Sequence, residues 1–172
     1  MEKYDIKEVG QDFKFLQNDP IVRGSRKKLL TINKNNELAM FKYEREDYVC
    51  SEACSEKIAY ELAKTLGFEC AKIDLAHDSA GKIGVLNYYF SDRFTSPHTD
   101  IIAYLNKDSS ERKNYYTVSN IKSILDDIDK DLFKGFIRIM IFDALIGEQD
   151  RHEENWGIIE KKWKTIYISF IW

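Results

Sequence analysis

Asp150 and Asn155 lie five positions apart and are residue types that phosphoryl transfer uses. A carboxylate can orient an attacking hydroxyl and take its proton, and an amide oxygen can bind a magnesium ion; the reaction rests on positioning and charge. Both sit in the polar stretch 148–155, Glu-Gln-Asp-Arg-His-Glu-Glu-Asn. An apolar helical run ends just before it at Gly147, and an apolar strand candidate, 156–159, follows. Taken alone, Asp-x-x-x-x-Asn also fits a charged surface turn between a helix and a strand.

A second set of candidates lies in the first third of the chain. The segment Ile21-Val22-Arg23-Gly24-Ser25-Arg26-Lys27-Lys28 is an apolar pair followed by a cation-dense Gly-Ser turn. Gly24 can adopt dihedrals that turn backbone N–H groups toward an anion. Ser25 adds a hydroxyl, and Arg26 and Lys28 add charge; a hairpin turn with a solvated basic face is the alternative. The segment does not match a Walker A loop. Lys42 follows in a strand candidate, 38–43, and shares a face with Met40 and Leu38 because strand side chains alternate. An ammonium on an otherwise apolar face calls for a carboxylate or phosphate partner, although an edge-strand lysine that deters aggregation has the same pattern. The next element offers Glu56 as the preferred partner and Glu52 as the second, both at the border of an apolar helical stripe. Surface glutamates are the alternative.

These residues need elements to hold them. The spacing predicts a strand near 9–16, a strand pair at 29–32 and 38–43, and a helix over 48–66 capped by Asp47 or Ser51 and stopped at Gly67. The helix should bury Ile58, Ala59, Leu62, Ala63 and Leu66, with Glu61 pointing away. Strands are expected at 70–75 and 83–90, with a turn at 78–81. Beyond residue 90 the pattern turns helical, at 100–106, 118–128 and 130–146, and the last helix is apolar almost all round. The run Asp126-Asp127-Ile128-Asp129-Lys130-Asp131 lacks the glycine and distal Glu of an EF-hand. Acidic residues capping a helix N-terminus are the expectation there.

The 172 residues suffice for one ordinary domain or two small lobes. At 44% hydrophobic and 32% charged the chain reads as soluble and globular, and a net charge of −3 makes no general case for nucleic-acid binding. The charged N-terminus has no apolar core behind it, so no signal peptide is expected. The longest apolar stretch, 132–146, is interrupted by Lys134, Arg138 and Asp143 and falls short of the roughly 20 residues a span needs. Cys50, Cys54 and Cys70 have no framework spacing and read as packing residues of a cytoplasmic protein.

The loop Asp150-Arg151-His152-Glu153-Glu154-Asn155 resembles the catalytic loop of the HipA-like serine/threonine kinases. These are bacterial kinases, some of them toxins of toxin–antitoxin pairs. The helix segment 55–67, Ser-Glu-Lys-Ile-Ala-Tyr-Glu-Leu-Ala-Lys-Thr-Leu-Gly, resembles that family's Asn-Glu-led helix. The similarity runs from about residue 23 to residue 172. It implies an α+β, two-lobed protein-kinase-like fold. Residues 1–90 would form a strand-rich N-lobe, 91–99 a hinge, and 100–172 a partial helical C-lobe with the catalytic loop at 148–155. It further implies an ATP- and Mg²⁺-dependent kinase. In it Asp150 is the catalytic base, His152 the loop histidine and Asn155 a metal ligand, while Lys42 holds phosphates and Glu56 holds Lys42. Gly24, Ser25 and Arg26 form the phosphate-facing loop, with Ser25 a candidate autophosphorylation site. The Tyr88 carbonyl and Phe90 N–H face adenine.

The resemblance departs from the family at the end. Members carry Ser-Pro, two apolar residues and a metal-binding Asp at the Asp-Phe-Gly position. Here Ser169-Phe170-Ile171-Trp172 closes the sequence, with the expected Asp one position beyond. A truncated kinase is therefore expected, completed by a second chain or working as a nucleotide- or partner-binding module without catalysis. Another alternative is an interaction protein that uses the apolar surface of the 133–146 helix. The protein substrate is not readable; an antitoxin-type protein or a chain completing the C-lobe is the candidate partner.

Overall fold

The computed structural model describes residues 5–16, 28–45, 51–89, 94–95, 116–149, 151–152, 155–160 and 166–170. The chain divides into two compact units. The first comprises Met1–Leu66 and Ala71–Tyr89 with Trp172, and the second Gly67–Cys70 and Phe90–Ile171.

The first unit is built on a mixed sheet of β1 (Lys7–Glu8), β2 (Phe13–Phe15), β3 (Lys28–Asn33), β4 (Leu38–Tyr43), β5 (Ile73–His77) and β6 (Ile83–Tyr88), in the order β1-β5-β6-β4-β3-β2. β1 runs parallel to β5 and the other neighbours are antiparallel. The single strand expected near 9–16 is two short strands joined by a turn at Gly10, with Val9 bridged to Phe13. Because β1 and β2 are the two edges of the sheet, that turn curls it into a half-barrel. Its inner face buries Val9, Phe13, Ala39, Phe41, Ala76, Leu86 and Tyr88.

The other face carries α1 (Glu52–Thr65), whose Ala53 packs with Ile73 and Val85, flanked by Tyr60 and Leu75. Ser51 caps α1, accepting from the Cys54 N–H at 3.2 Å, so the helix starts later than residue 48. Its buried side also differs from the expected stripe. Ala53, Lys57, Ala59 and Ala63 are inside, whereas Ile58 is 68% and Leu66 47% exposed. Small alanines let the helix lie close to the sheet, and the buried Lys57 ammonium is satisfied by the Ile73 carbonyl, Glu61 and Asp74. Glu61, expected to point away, pairs with Lys57 at 2.9 Å. Cys54 is an exposed free thiol rather than a packing residue.

The second unit contains α2 (Val118–Ile128), α3 (Leu132–Ile146) and a sheet of β7 (Phe94–Thr95), β8 (Trp156–Glu160) and β9 (Ile166–Phe170), antiparallel throughout. Ile121 and Leu125 of α2 are buried, as are Leu132, Phe136, Ile139 and Phe142 of α3. Phe142 meets Phe68, and Phe136 meets Trp156, each pair 4.9 Å between ring centroids. Asp131 precedes α3 without a side-chain cap bond; the carboxylate that accepts a backbone N–H is Asp129, from Asp131 at 2.9 Å. α3 is not buried all round, since Ile141 is 62% and Leu145 60% exposed. Among the described residues no helix is long and apolar enough to cross a membrane. The helix expected at 100–106 lies outside the described residues.

Candidate active site

β4 delivers Lys42 to the α1-bearing face of the half-barrel. The alternation Leu38, Met40, Lys42 holds, and Phe41 on the opposite face is fully buried in the inner core. Lys42 is only 7% exposed. Its Nζ lies 3.7 Å from Glu56 Oε2, with both side chains largely shielded from water. Of the two glutamates expected on the helix border, Glu56 therefore reaches Lys42. Glu52, one turn earlier, lies 3.9 Å from Arg45 Nε instead.

Two close contacts fix this arrangement. On β6, Gly84 passes against the Lys42 backbone. A Cβ at Gly84 would stand 2.2 Å from the Lys42 carbonyl oxygen and 2.8 Å from Phe41 Cε2. On α1, Lys57 donates to the Ile73 carbonyl at 2.7 Å and pairs with Asp74 Oδ1 at 3.3 Å, tying the helix to β5 next to Glu56. Asp74 Oδ2 accepts from the Tyr88 hydroxyl at 2.9 Å and lies 3.3 Å from Lys72 Nζ. Burial works against the Asp74 carboxylate, but the Tyr88 hydroxyl and the two lysines outweigh it and hold its pKa below the ordinary value. Burial likewise opposes charge on Lys57, yet Glu61 and Asp74 prevail and raise its pKa. Tyr88 is pushed upward, first by burial and then by Asp74.

The same sheet face carries two further residues by register. Lys28 stands directly opposite Lys42 across the β3–β4 ladder. Asn87 stands opposite Met40 on one side and opposite Ile73 on the other. Tyr88 donates its backbone N–H to the Lys72 carbonyl at 3.0 Å, and its ring belongs to the inner core. Gly24, Ser25, Arg26 and Phe90 lie outside the described residues.

In the second unit the loop candidate is anchored by a pair that spacing did not reveal. Arg151 donates Nε to Asp143 Oδ2 at 2.9 Å and Nη2 to Asp143 Oδ1 at 2.7 Å, a two-pronged ion pair. Its Nη1 donates to the Asn155 carbonyl at 2.8 Å, and the Asn155 N–H donates to the His152 carbonyl at 3.0 Å. Asp143 is 6% exposed, the single carboxylate buried in α3. Gly147 closes that helix in the left-handed region, φ 74°, and turns the chain into the loop. Downstream, Trp156 is fully buried and donates Nε1 to the Tyr116 hydroxyl at 2.6 Å. His152 and Asn155 are thus held at the start of β8, both half-buried. Asp150 itself lies outside the described residues. A charge inside the otherwise apolar run 132–146 was the available signal for Asp143, since such a charge needs a partner.

No group of three His, Cys, Asp or Glu side chains able to hold a metal occurs among the described residues. Asn155 offers one amide, and a magnesium ion takes a carboxylate or two along with substrate phosphates. A protein cage for the ion is therefore not a feature of the described part.

Among curated proteins none matches the chain. Among solved structures it is similar to the Helicobacter pylori proinflammatory kinase CtkA, with 22% identity and a TM-score of 0.66. That likeness covers 93% of this chain and 57% of the other, so the chain spans little more than half the length of that kinase. It shows that the α+β fold is kinase-like. The HipA-like C-terminal domain matches over residues 21–168, a stretch that takes in Lys42, Glu56, Asp143, Arg151 and Asn155. The chain therefore belongs to the HipA-like C-terminal domain family.

Proposed function

We propose that this chain is an ATP-dependent protein serine/threonine kinase of the HipA-like class, acting in the cytoplasm. The buried Lys42–Glu56 pair carries the reading. A lysine held by a helix glutamate on one face of the sheet is the device by which kinases fix nucleotide phosphates. Family membership supports it. So does Lys28, which the register sets directly across from Lys42 and which adds a second cation to that face.

In the proposed reaction the substrate hydroxyl attacks the γ-phosphorus in line. A new P–O bond forms, the bond to the β–γ bridging oxygen breaks, and ADP leaves. Asp150 orients the hydroxyl and receives its proton. Lys42 holds phosphate oxygens, and Glu56 holds Lys42. Arg151 and Asp143 keep the loop bearing Asp150, His152 and Asn155 in register. Magnesium, when bound with the phosphates, neutralises their charge, and Asn155 is its proposed protein ligand. Gly24, Ser25 and Arg26 are assigned to the phosphates, and the Tyr88 carbonyl and Phe90 N–H to adenine. An antitoxin-type protein remains the proposed partner.

The test is incubation with labelled ATP and Mg²⁺, reading incorporated phosphate and melting temperature together. Incorporation at Ser25 or on a protein substrate, lost in Asp150→Asn, supports the kinase. A melting shift without incorporation shows a nucleotide-binding module instead. Absence of both overturns the reading.

A further inference from the structure

Among the described residues five polar or charged ones are buried: Thr31, Lys42, Lys57, Asn87 and Asp143. Four have evident partners. Thr31 donates to the Ala39 carbonyl at 2.7 Å, Lys42 faces Glu56, Lys57 binds Ile73 and Asp74, and Asp143 binds Arg151. Asn87 is the exception: it is 5% exposed, and its Nδ2 has no hydrogen-bond partner there. A buried donor left unmade is costly, and an apolar side chain would fill a sheet position beside Met40 and Ile73 without that cost.

The position of Asn87 says what could complete it. It lies on the sheet face of Met40 and Lys42, with Lys42 opposite Val85 two residues before Asn87 on β6. Tyr88, the proposed adenine contact, is its chain neighbour. A planar base lying against Met40, its phosphates directed to Lys42, would turn one edge to Asn87. An amide offers one donor and one acceptor side by side. The adenine N7 and 6-amino group present the matching acceptor and donor, whereas guanine presents two acceptors on that edge.

We infer that Asn87 is a specificity-determining residue that reads the N7/6-amino edge of adenine, its Nδ2 donating to N7 and its Oδ1 accepting from the 6-amino group. This rests on the nucleotide-binding reading above and adds to it the choice of base.

Calorimetric titration with ATP and 7-deaza-ATP, which carries C–H in place of N7, tests the pairing atom by atom. Wild-type protein should bind ATP about tenfold more tightly than 7-deaza-ATP. In Asn87→Leu the two nucleotides should bind alike. An unchanged ratio in Asn87→Leu overturns this inference and leaves the nucleotide reading intact. Should Asn87→Leu fail to fold, equal affinity of the wild type for the two nucleotides overturns it just as directly. A wild type that binds neither overturns both.

Discussion

Arg151 holds Asp143 through two hydrogen bonds of 2.9 and 2.7 Å, with the carboxylate 6% exposed in the last turn of an apolar helix. Removing one member leaves the other charged and shielded from water. Such a loss costs about 3–5 kcal/mol. Asp143→Ala should therefore lower the urea midpoint by the equivalent of that loss. Arg151→Lys, which cannot reproduce the fork, should also destabilise, though less. Midpoints that stay at the wild-type value for both variants would show that the pair does not hold the loop.

Glu56 reaches Lys42 at 3.7 Å in a shielded setting. Glu56→Gln keeps the shape and deletes the charge. The proposed kinase should then show a KM for ATP raised about tenfold, a loss of roughly 1.4 kcal/mol, with its circular dichroism unchanged. Glu52→Gln should leave the KM near the wild-type value, because Glu52 faces Arg45. Equal effects from the two substitutions would remove Glu56 from its assigned role.

The Lys57–Asp74–Tyr88 network sets a pH dependence. The Asp74 pKa is lowered in the fold, burial being outweighed by the Tyr88 hydroxyl, Lys72 and Lys57. Its stabilisation is therefore present above the unfolded value of about 3.9 and is lost as pH falls through the folded one. The Lys57 pKa is raised, so its share is complete below about 10.4 and is lost as pH rises beyond the folded value. Melting temperature followed from pH 6 downward should drop more steeply for wild type than for Asp74→Asn. Parallel curves would contradict the network's part in holding α1 to β5.

Gly84 has no room for a side chain. Its Cβ would meet the Lys42 carbonyl at 2.2 Å, and backbone cannot swing aside as a side chain can. Gly84→Ala should destabilise the protein by about 1–3 kcal/mol. It should also weaken ATP binding by displacing Lys42. A variant with wild-type stability would show that the β4–β6 approach is looser than described.

Parts of this arrangement were legible in the residues. Strand alternation put Lys42 on the face of Met40, and the border position of Glu56 made it the preferred partner; both follow from local periodicity. The buried face of α1 departs from its hydrophobic stripe because such a stripe does not anticipate a buried lysine: Lys57 is inside through Ile73, Asp74 and Glu61, two of which come from a strand 16 or more residues away. Arg151 was visible only as part of a charged loop, since its partner Asp143 sits a turn inside the preceding helix. The orphaned amide of Asn87 has no signature in spacing, because burial and missing partners are properties of the assembled sheet.

The central claim is that Lys42 holds nucleotide phosphates. Calorimetric comparison of ATP with adenosine tests it most directly. Wild type should bind ATP at least about tenfold more tightly than adenosine, a difference of about 1.4 kcal/mol supplied by the phosphates, and Lys42→Ala should bring the two affinities together. Equal affinities in the wild type, or a preference for ATP that survives Lys42→Ala intact, would contradict it.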